Sequence, residues 1–187
     1  MKILIYYATV EGQTGKIARF AAASVARAGH RPVLAAAAAD RAIPLGGIDA
    51  AILAAPVHER RHPPEFETRL RAQARGLIRI PTLMLSVSLS AAFPEGLEAA
   101  EDYLLEMKMR TGLAPDREAL VAGAVRASSY DYYQSKVVNH VVLRDRDPVP
   151  AGADREFTDW PALAATVAAF CDGLQAGVPV PGITDAS

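Results

Sequence analysis

Five short apolar runs punctuate the chain without alternating with polar residues: Ile3–Tyr7, Pro32–Ala37, Ala51–Ala55, Thr82–Val87 and Leu120–Val125. Unbroken apolar runs of this length suit strands buried on both faces, as in a parallel sheet. The second run ends in three alanines and fits a helix equally well. Between the runs, apolar positions recur every three or four residues. Ile17, Phe20, Ala21, Val25 and Ala28 make one stripe, with Lys16, Arg19 and Arg27 opposite and Gly29 as a stop. Pro63-Pro64 opens a second helix that carries Phe66 and Leu70 and ends near Gly76. Pro94 opens a third, with Leu97, Ala100, Leu104 and Met107 as its stripe. Thr158 or Asp159 caps a last helix bearing Leu163, Val167, Phe170 and Leu174. Strands alternating with helices predict an α/β fold, a doubly wound parallel sheet covered by helices on both faces.

One stretch breaks the alternation. Residues 127–157 are too long for an ordinary connection and are expected to carry structure or function of their own. Tyr133, Val137, Val138 and Val141 could form a short helical stripe within it. The tail from Gly177 is rich in Pro and Gly and is expected to fray, which leaves a single domain over residues 1–176.

Composition narrows the function classes. The chain has 187 residues, 51% of them hydrophobic, and a formal net charge of −1, so nothing in its charge favours a nucleic-acid partner. Cys171 is the single cysteine, which excludes an intrachain disulfide and a Cys-rich metal site and fits a reducing compartment. The apolar run at the N-terminus is too short to span a membrane, and a cytoplasmic location is expected.

Ligands of such sheets bind beyond the carboxyl ends of the strands, so the loops there carry the chemistry. The first is Ala8-Thr9-Val10-Glu11-Gly12-Gln13-Thr14, ahead of the first helix. Free N–H groups, the helix dipole and Thr hydroxyls make this an anion site, and Gly12 allows close backbone approach. An ordinary cap by Thr14 or Thr9 is the alternative, and spacing alone does not separate the two. Walker A spacing and the G-x-G-x-x-G pattern are both absent. The second loop, Pro56-Val57-His58-Glu59-Arg60-Arg61-His62, holds two of the four histidines. His58 and His62 have a spacing that could hold zinc on a helix, but Pro63-Pro64 opposes that helix and a third ligand is missing, so no metal is expected. This loop reads either as a solvated basic turn or as a positive rim beside a bound anion. The third loop, Ser86-Val87-Ser88-Leu89-Ser90-Ala91-Ala92-Phe93, is small and hydroxyl-rich, which suits a backbone laid against a flat ring. Phe93 could stack on that ring or pack ahead of the third helix.

Together the three loops resemble the flavodoxin family. Within it the resemblance is nearest to the menaquinone-dependent protoporphyrinogen oxidases. It is carried by Thr9-x-x-Gly12-Gln13-Thr14, by Ser86-Val87 followed by Leu89, and by Ala122-Gly123-Ala124 followed by Arg126. Phe66, Pro115-Asp116-Arg117 and Thr158-Asp159-Trp160 extend it, so that it runs from Met1 to about Leu174. The resemblance implies a strand order of 2-1-3-4-5, an insertion after strand five, and FMN as cofactor. It implies cofactor contacts at Thr9, Val10, Glu11, Gly12, Gln13 and Thr14 on the phosphate side. On the ring side it implies Pro56, Val57, His58, Ser86, Val87, Ser88 and Leu89. Ala8 stands where the family usually has Ser, and Glu59 and His62 stand where the oxidases carry aromatic residues.

The activity implied is two-electron oxidation of a porphyrinogen with transfer to a quinone. His58, Arg60 and Arg61 are the candidates for acting on substrate. The two arginines are expected to favour the reduced flavin anion and to attract the propionates of a porphyrinogen. The insertion could form a lid or docking surface for porphyrinogen, quinone or the inner face of the membrane, or its tyrosines and valines could pack onto the domain's own surface. An NAD(P)H:quinone reductase, a one-electron carrier and a scaffold without cofactor remain as alternatives.

Overall fold

The computed structural model describes residues 1–37, 41–126 and 154–176. The first element, β1 (Lys2–Tyr7), leads into α1 (Gln13–Arg27), and then come β2 (Arg31–Ala36) and β3 (Ala50–Pro56). They are followed by α2 (Pro64–Leu77), β4 (Thr82–Ser88), α3 (Leu97–Thr111) and β5 (Arg117–Ala122). Two short strands, β6 (Ala124–Arg126) and β7 (Asp154–Glu156), precede the last helix, α4 (Trp160–Gln175). Strands β1 to β5 form one parallel sheet in the order β2-β1-β3-β4-β5. This is the flavodoxin-like order, with β1 and β3 adjacent at the switch point.

Alternation along each strand sends side chains to opposite faces. Ile3, Ile5, Ile52 and Leu85 meet Ile17 and Val25 of α1 and Val167 and Phe170 of α4. Leu4, Tyr6, Leu53 and Met84 meet Phe66 and Leu70 of α2 and Leu104 and Met107 of α3. Every residue of β3 and β4 is buried, which is why these two strands read as unbroken apolar runs. Tyr6 and Phe66 stack with ring centroids 5.7 Å apart. The Asp116 carboxylate accepts from Thr82 N and Oγ1 at 2.7 and 3.1 Å and pins the start of β4 beside β5.

Two elements depart from expectation. The fifth apolar run does not form one strand through Val125. Strand β5 stops at Ala122, and after Gly123 the chain leaves the sheet so that Ala124–Arg126 pair antiparallel with Asp154–Glu156. An apolar run continues across the break because Val125 is itself buried. Helix α3 begins at Leu97 rather than Pro94, after a 3₁₀ turn over Pro94–Gly96. There Gly96 lies so close to Ser90 that a Cβ would sit 2.3 Å from the Ser90 carbonyl oxygen. The expected helical stripe at Tyr133–Val141 and the tail from Gly177 lie outside the described residues.

Candidate functional site

Residues from the carboxyl ends of β1, β3, β4 and β5 converge on one cleft of about 210 Å³. Its phosphate-sized end is the turn between β1 and α1. Gly12, at φ 89°, is the N-cap of α1 and offers no side-chain bond to the first turn. That left-handed geometry favours glycine. The Thr9 hydroxyl accepts from the N–H groups of Gly12 and Gly15 at 3.1 and 3.3 Å, and so folds the loop around the helix end. Thr9 therefore supports the loop, and neither Thr9 nor Thr14 is the N-cap. Thr14 is 2% exposed and lines the cleft, yet neither its N–H nor its hydroxyl has a partner among the described residues. Two uncommitted donors at a helix N-terminus suit a phosphate monoester. Glu11 and Gln13 also line the cleft, whereas Val10 is exposed. Ala8 is buried, with its N–H bonded to Ala54 O at 3.0 Å.

The second wall is a two-residue hairpin. His58 and Arg61 exchange both backbone hydrogen bonds at 2.9 Å, and the residues between them, Glu59 and Arg60, take φ values of 48° and 64°. Two positive φ angles define a type I′ turn, a conformation that strains residues other than glycine. Pro56, Val57, His58 and Glu59 line the cleft. Three contacts hold the hairpin. Arg60 lies over the Tyr103 ring at 5.4 Å, and Arg61 donates to Glu67 at 2.9 and 3.2 Å. His62, fully buried, meets the Ser86 hydroxyl at 3.1 Å through Nε2.

This arrangement alters the reading of the second loop. The turn is not simply solvated, because His62 sits in the interior. Arg60 and Arg61 reach towards α3 and α2, and neither lines the cleft, so they do not form the expected positive rim. The charged side chains at the cleft are the carboxylates of Glu11 and Glu59. Burial pushes His62 down to about 4, with Glu67 pulling it up and Arg110 pushing it down further, so the ring is neutral at pH 7. Its Nδ1 has no partner among the described residues. Glu67, 1% exposed, is raised by burial, but hydrogen bonds from Arg110 and Arg61 outweigh this and hold the carboxyl below its usual range.

The third wall is the end of β4. Val87, Ser88 and Leu89 line the cleft, while Ser86 points inward to His62. Ser88 Oγ accepts from Ala91 N at 3.1 Å and its carbonyl from Gly123 N at 3.0 Å. Phe93 packs edge-on against Phe157, with centroids 5.4 Å apart. A fourth wall was missed by sequence reasoning: Gly123 and Ala124 close the cleft from β5 and β6. The signal was there in the small residues Ala122-Gly123-Ala124 at the end of the fifth apolar run.

A slot bounded by backbone at the ends of β3, β4 and β5, with free donors at one end, fits a flat ring bearing a phosphate. Residues 4–148 match the family model described as Flavodoxin domain. Over 165 residues the chain is 25% identical to protoporphyrinogen IX dehydrogenase (quinone) of Escherichia coli strain K12, covering 88% of this chain and 91% of that protein. Among solved structures, a flavodoxin of Streptococcus pneumonia TIGR4 superposes with a TM-score of 0.57 at 15% identity, covering 95% of this chain and all of that one. The rubredoxin oxygen:oxidoreductase of Desulfovibrio gigas superposes with a TM-score of 0.54 at 18% identity, and there the chain spans only 36% of the larger protein. With the family model covering most of its length and the strand order matching, the chain belongs to the flavodoxin domain family, and its cofactor is FMN.

Proposed function

We propose that the protein is an FMN-dependent oxidoreductase that oxidises a porphyrinogen and passes the electrons to a quinone. Membership of a flavin-binding family supports redox chemistry as the reaction class. The observation that carries the finer reading is the identity to the Escherichia coli quinone-dependent dehydrogenase along nearly the whole of both chains. Bound FMN supplies the two-electron chemistry. The chain's own residues bind and orient it. In this reading the Thr14 N–H and hydroxyl hold the phosphate, with Gly12 and Thr9 shaping the turn. Val57 and His58 flank one side of the ring, and Ser88, Leu89, Gly123 and Ala124 the others. Arg61 is half-exposed, so its outer edge can meet a substrate propionate while the inner edge stays on Glu67.

Membrane contact through residues 127–157 belongs to the same proposal. No helix among the described residues is long and apolar enough to cross a membrane.

The Glu11 and Glu59 carboxylates at the cleft favour a second reading, a flavodoxin-type electron carrier. Anaerobic titration separates the two. Flavin bands that bleach with protoporphyrinogen and return with menaquinone support the oxidase. Bands that bleach only with a reductase partner favour the carrier, and rapid bleaching by NADPH alone points to a quinone reductase.

The phosphate assignment has its own test. Hydrogen bonds to charged groups contribute about 1.5–3 kcal/mol, so Thr14→Val is expected to weaken FMN binding about 10- to 100-fold. Riboflavin, which lacks the phosphate, should bind the variant and the parent alike. Fluorescence titration of the apoprotein with both flavins checks this, and an unchanged FMN affinity would remove Thr14 from the site.

A further inference from the structure

We infer that Thr158 is a positioning residue for the flavin phosphate, acting through Gln13. The inference rests on the reading of the cleft as an FMN site.

Gln13 opens α1, yet its side chain turns away from the turn it belongs to. Its Nε2 donates to Thr158 Oγ1 at 2.8 Å, and Thr158 Oγ1 in turn donates to the Ala122 carbonyl at 2.7 Å. Gln13 is 5% and Thr158 9% exposed, so this chain of hydrogen bonds is shielded from water. The Glu156 carboxylate also accepts from Gln13, along with Lys16 Nζ at 2.6 Å and Trp160 Nε1 at 2.7 Å. A glutamine amide has two N–H donors. The Gln13 amide is drawn to the segment leading into α4, to Thr158 and Glu156, and away from the phosphate end of the cleft. It is a strut. The Thr14 N–H and hydroxyl remain to face the ligand, and the strut fixes the rotation of that turn.

The other end of the strut matters as much. Ala122 is the last residue of β5, and Gly123 and Ala124 after it line the cleft. One hydroxyl thus joins the phosphate end of the cleft to its fourth wall. That wall has an independent hold, because Ala122 pairs with Ser88 and Gly123 N donates to Ser88 O at 3.0 Å. Loss of the Thr158 hydroxyl therefore removes one hold on the phosphate turn and leaves the ring wall in place. Thr158 is also neutral, so its removal changes no charge near the phosphate, as removal of Glu156 or Lys16 would.

The test compares FMN with riboflavin on apoprotein of the parent, Thr158→Val and Thr158→Ser, read by quenching of flavin fluorescence. Thr158→Val is expected to raise the FMN Kd at least fivefold and the riboflavin Kd less than twofold. Thr158→Ser, which keeps the hydroxyl, is expected to restore FMN binding to within twofold of the parent. If Thr158→Val weakens both flavins equally, the residue acts on the fold alone and the inference fails. It fails also if FMN binding does not change. If Thr158→Val does not fold, Gln13→Met removes the strut from the other side and is expected to show the same selective loss. A parent protein that binds riboflavin and FMN equally, or neither, overturns the phosphate reading itself, whereas a parent that prefers FMN and a valine variant that keeps the preference overturn only the strut.

Discussion

Lowering the pH from 7 to 4 is expected to cost about 3 kcal/mol of folding stability through one side chain, His62. The folded ring titrates near 4, against an ordinary value of 6.5. Burial is the main cause, since a charged imidazole at this position would have no water around it. The unfolded chain takes up a proton near 6.5 and the folded one does not, so the loss begins as the pH falls through 6.5 and levels off below about 4. The charged groups that act on the ring are Glu67, which favours its protonation, and Arg110, which opposes it. In the variant His62→Gln a non-titrating amide can still meet Ser86, and the part of the slope between pH 6.5 and 4 should disappear. Urea unfolding of both proteins at pH 7, 5.5 and 4 measures this. An unchanged slope in the variant would assign the acid sensitivity to other groups.

Replacing Glu67 by methionine is expected to destabilise the protein by about 2 kcal/mol. Glu67 is a buried carboxylate that accepts from Arg110 Nη2 at 2.8 Å and from Arg61 Nη2 at 2.9 Å, and it joins α2, α3 and the hairpin. Removing one member of a fully buried pair costs about 3–5 kcal/mol. Here the arginines are 28% and 50% exposed, so water recovers part of that cost when the carboxylate goes. Arg110 also keeps Glu106 at 3.0 Å. The double variant Glu67→Met with Arg110→Met should regain at least half of the loss, because it leaves one fewer stranded charge. Non-recovery would mean that packing around Glu67, and not its charge, holds the three elements together. The single variant also frees Arg61, one of three anchors of the strained turn at Glu59-Arg60. Riboflavin binding should therefore weaken in it, unlike in Thr14→Val.

Both predictions concern residues that periodicity treats as loop or helix surface. His62 lies between two arginines and two prolines, a setting that reads as solvent. Glu67 lies one residue after Phe66, on a helix whose apolar stripe is otherwise short. Their burial follows from the way the hairpin folds back over the ends of β3 and β4, which no local pattern encodes.

Much of the architecture is local and was legible in the chain. Buried parallel strands must be apolar on both faces, so β1, β3 and β4 announce themselves, and helix stripes at three- and four-residue spacing name the sides of α1, α2 and α4 that meet the sheet. The positions of the site loops follow, because ligands bind where parallel strands end. The tertiary structure alone decided how those loops are used. Pairing with Asp154–Glu156 cut β5 at Ala122 and brought Gly123 and Ala124 into the cleft. The buried Glu67 drew Arg61 away from it and Tyr103 drew Arg60. Thr158, from the far end of the chain, took hold of Gln13. Each of these depends on partners distant in sequence, and a side chain's charge and spacing do not say which distant partner will reach it first.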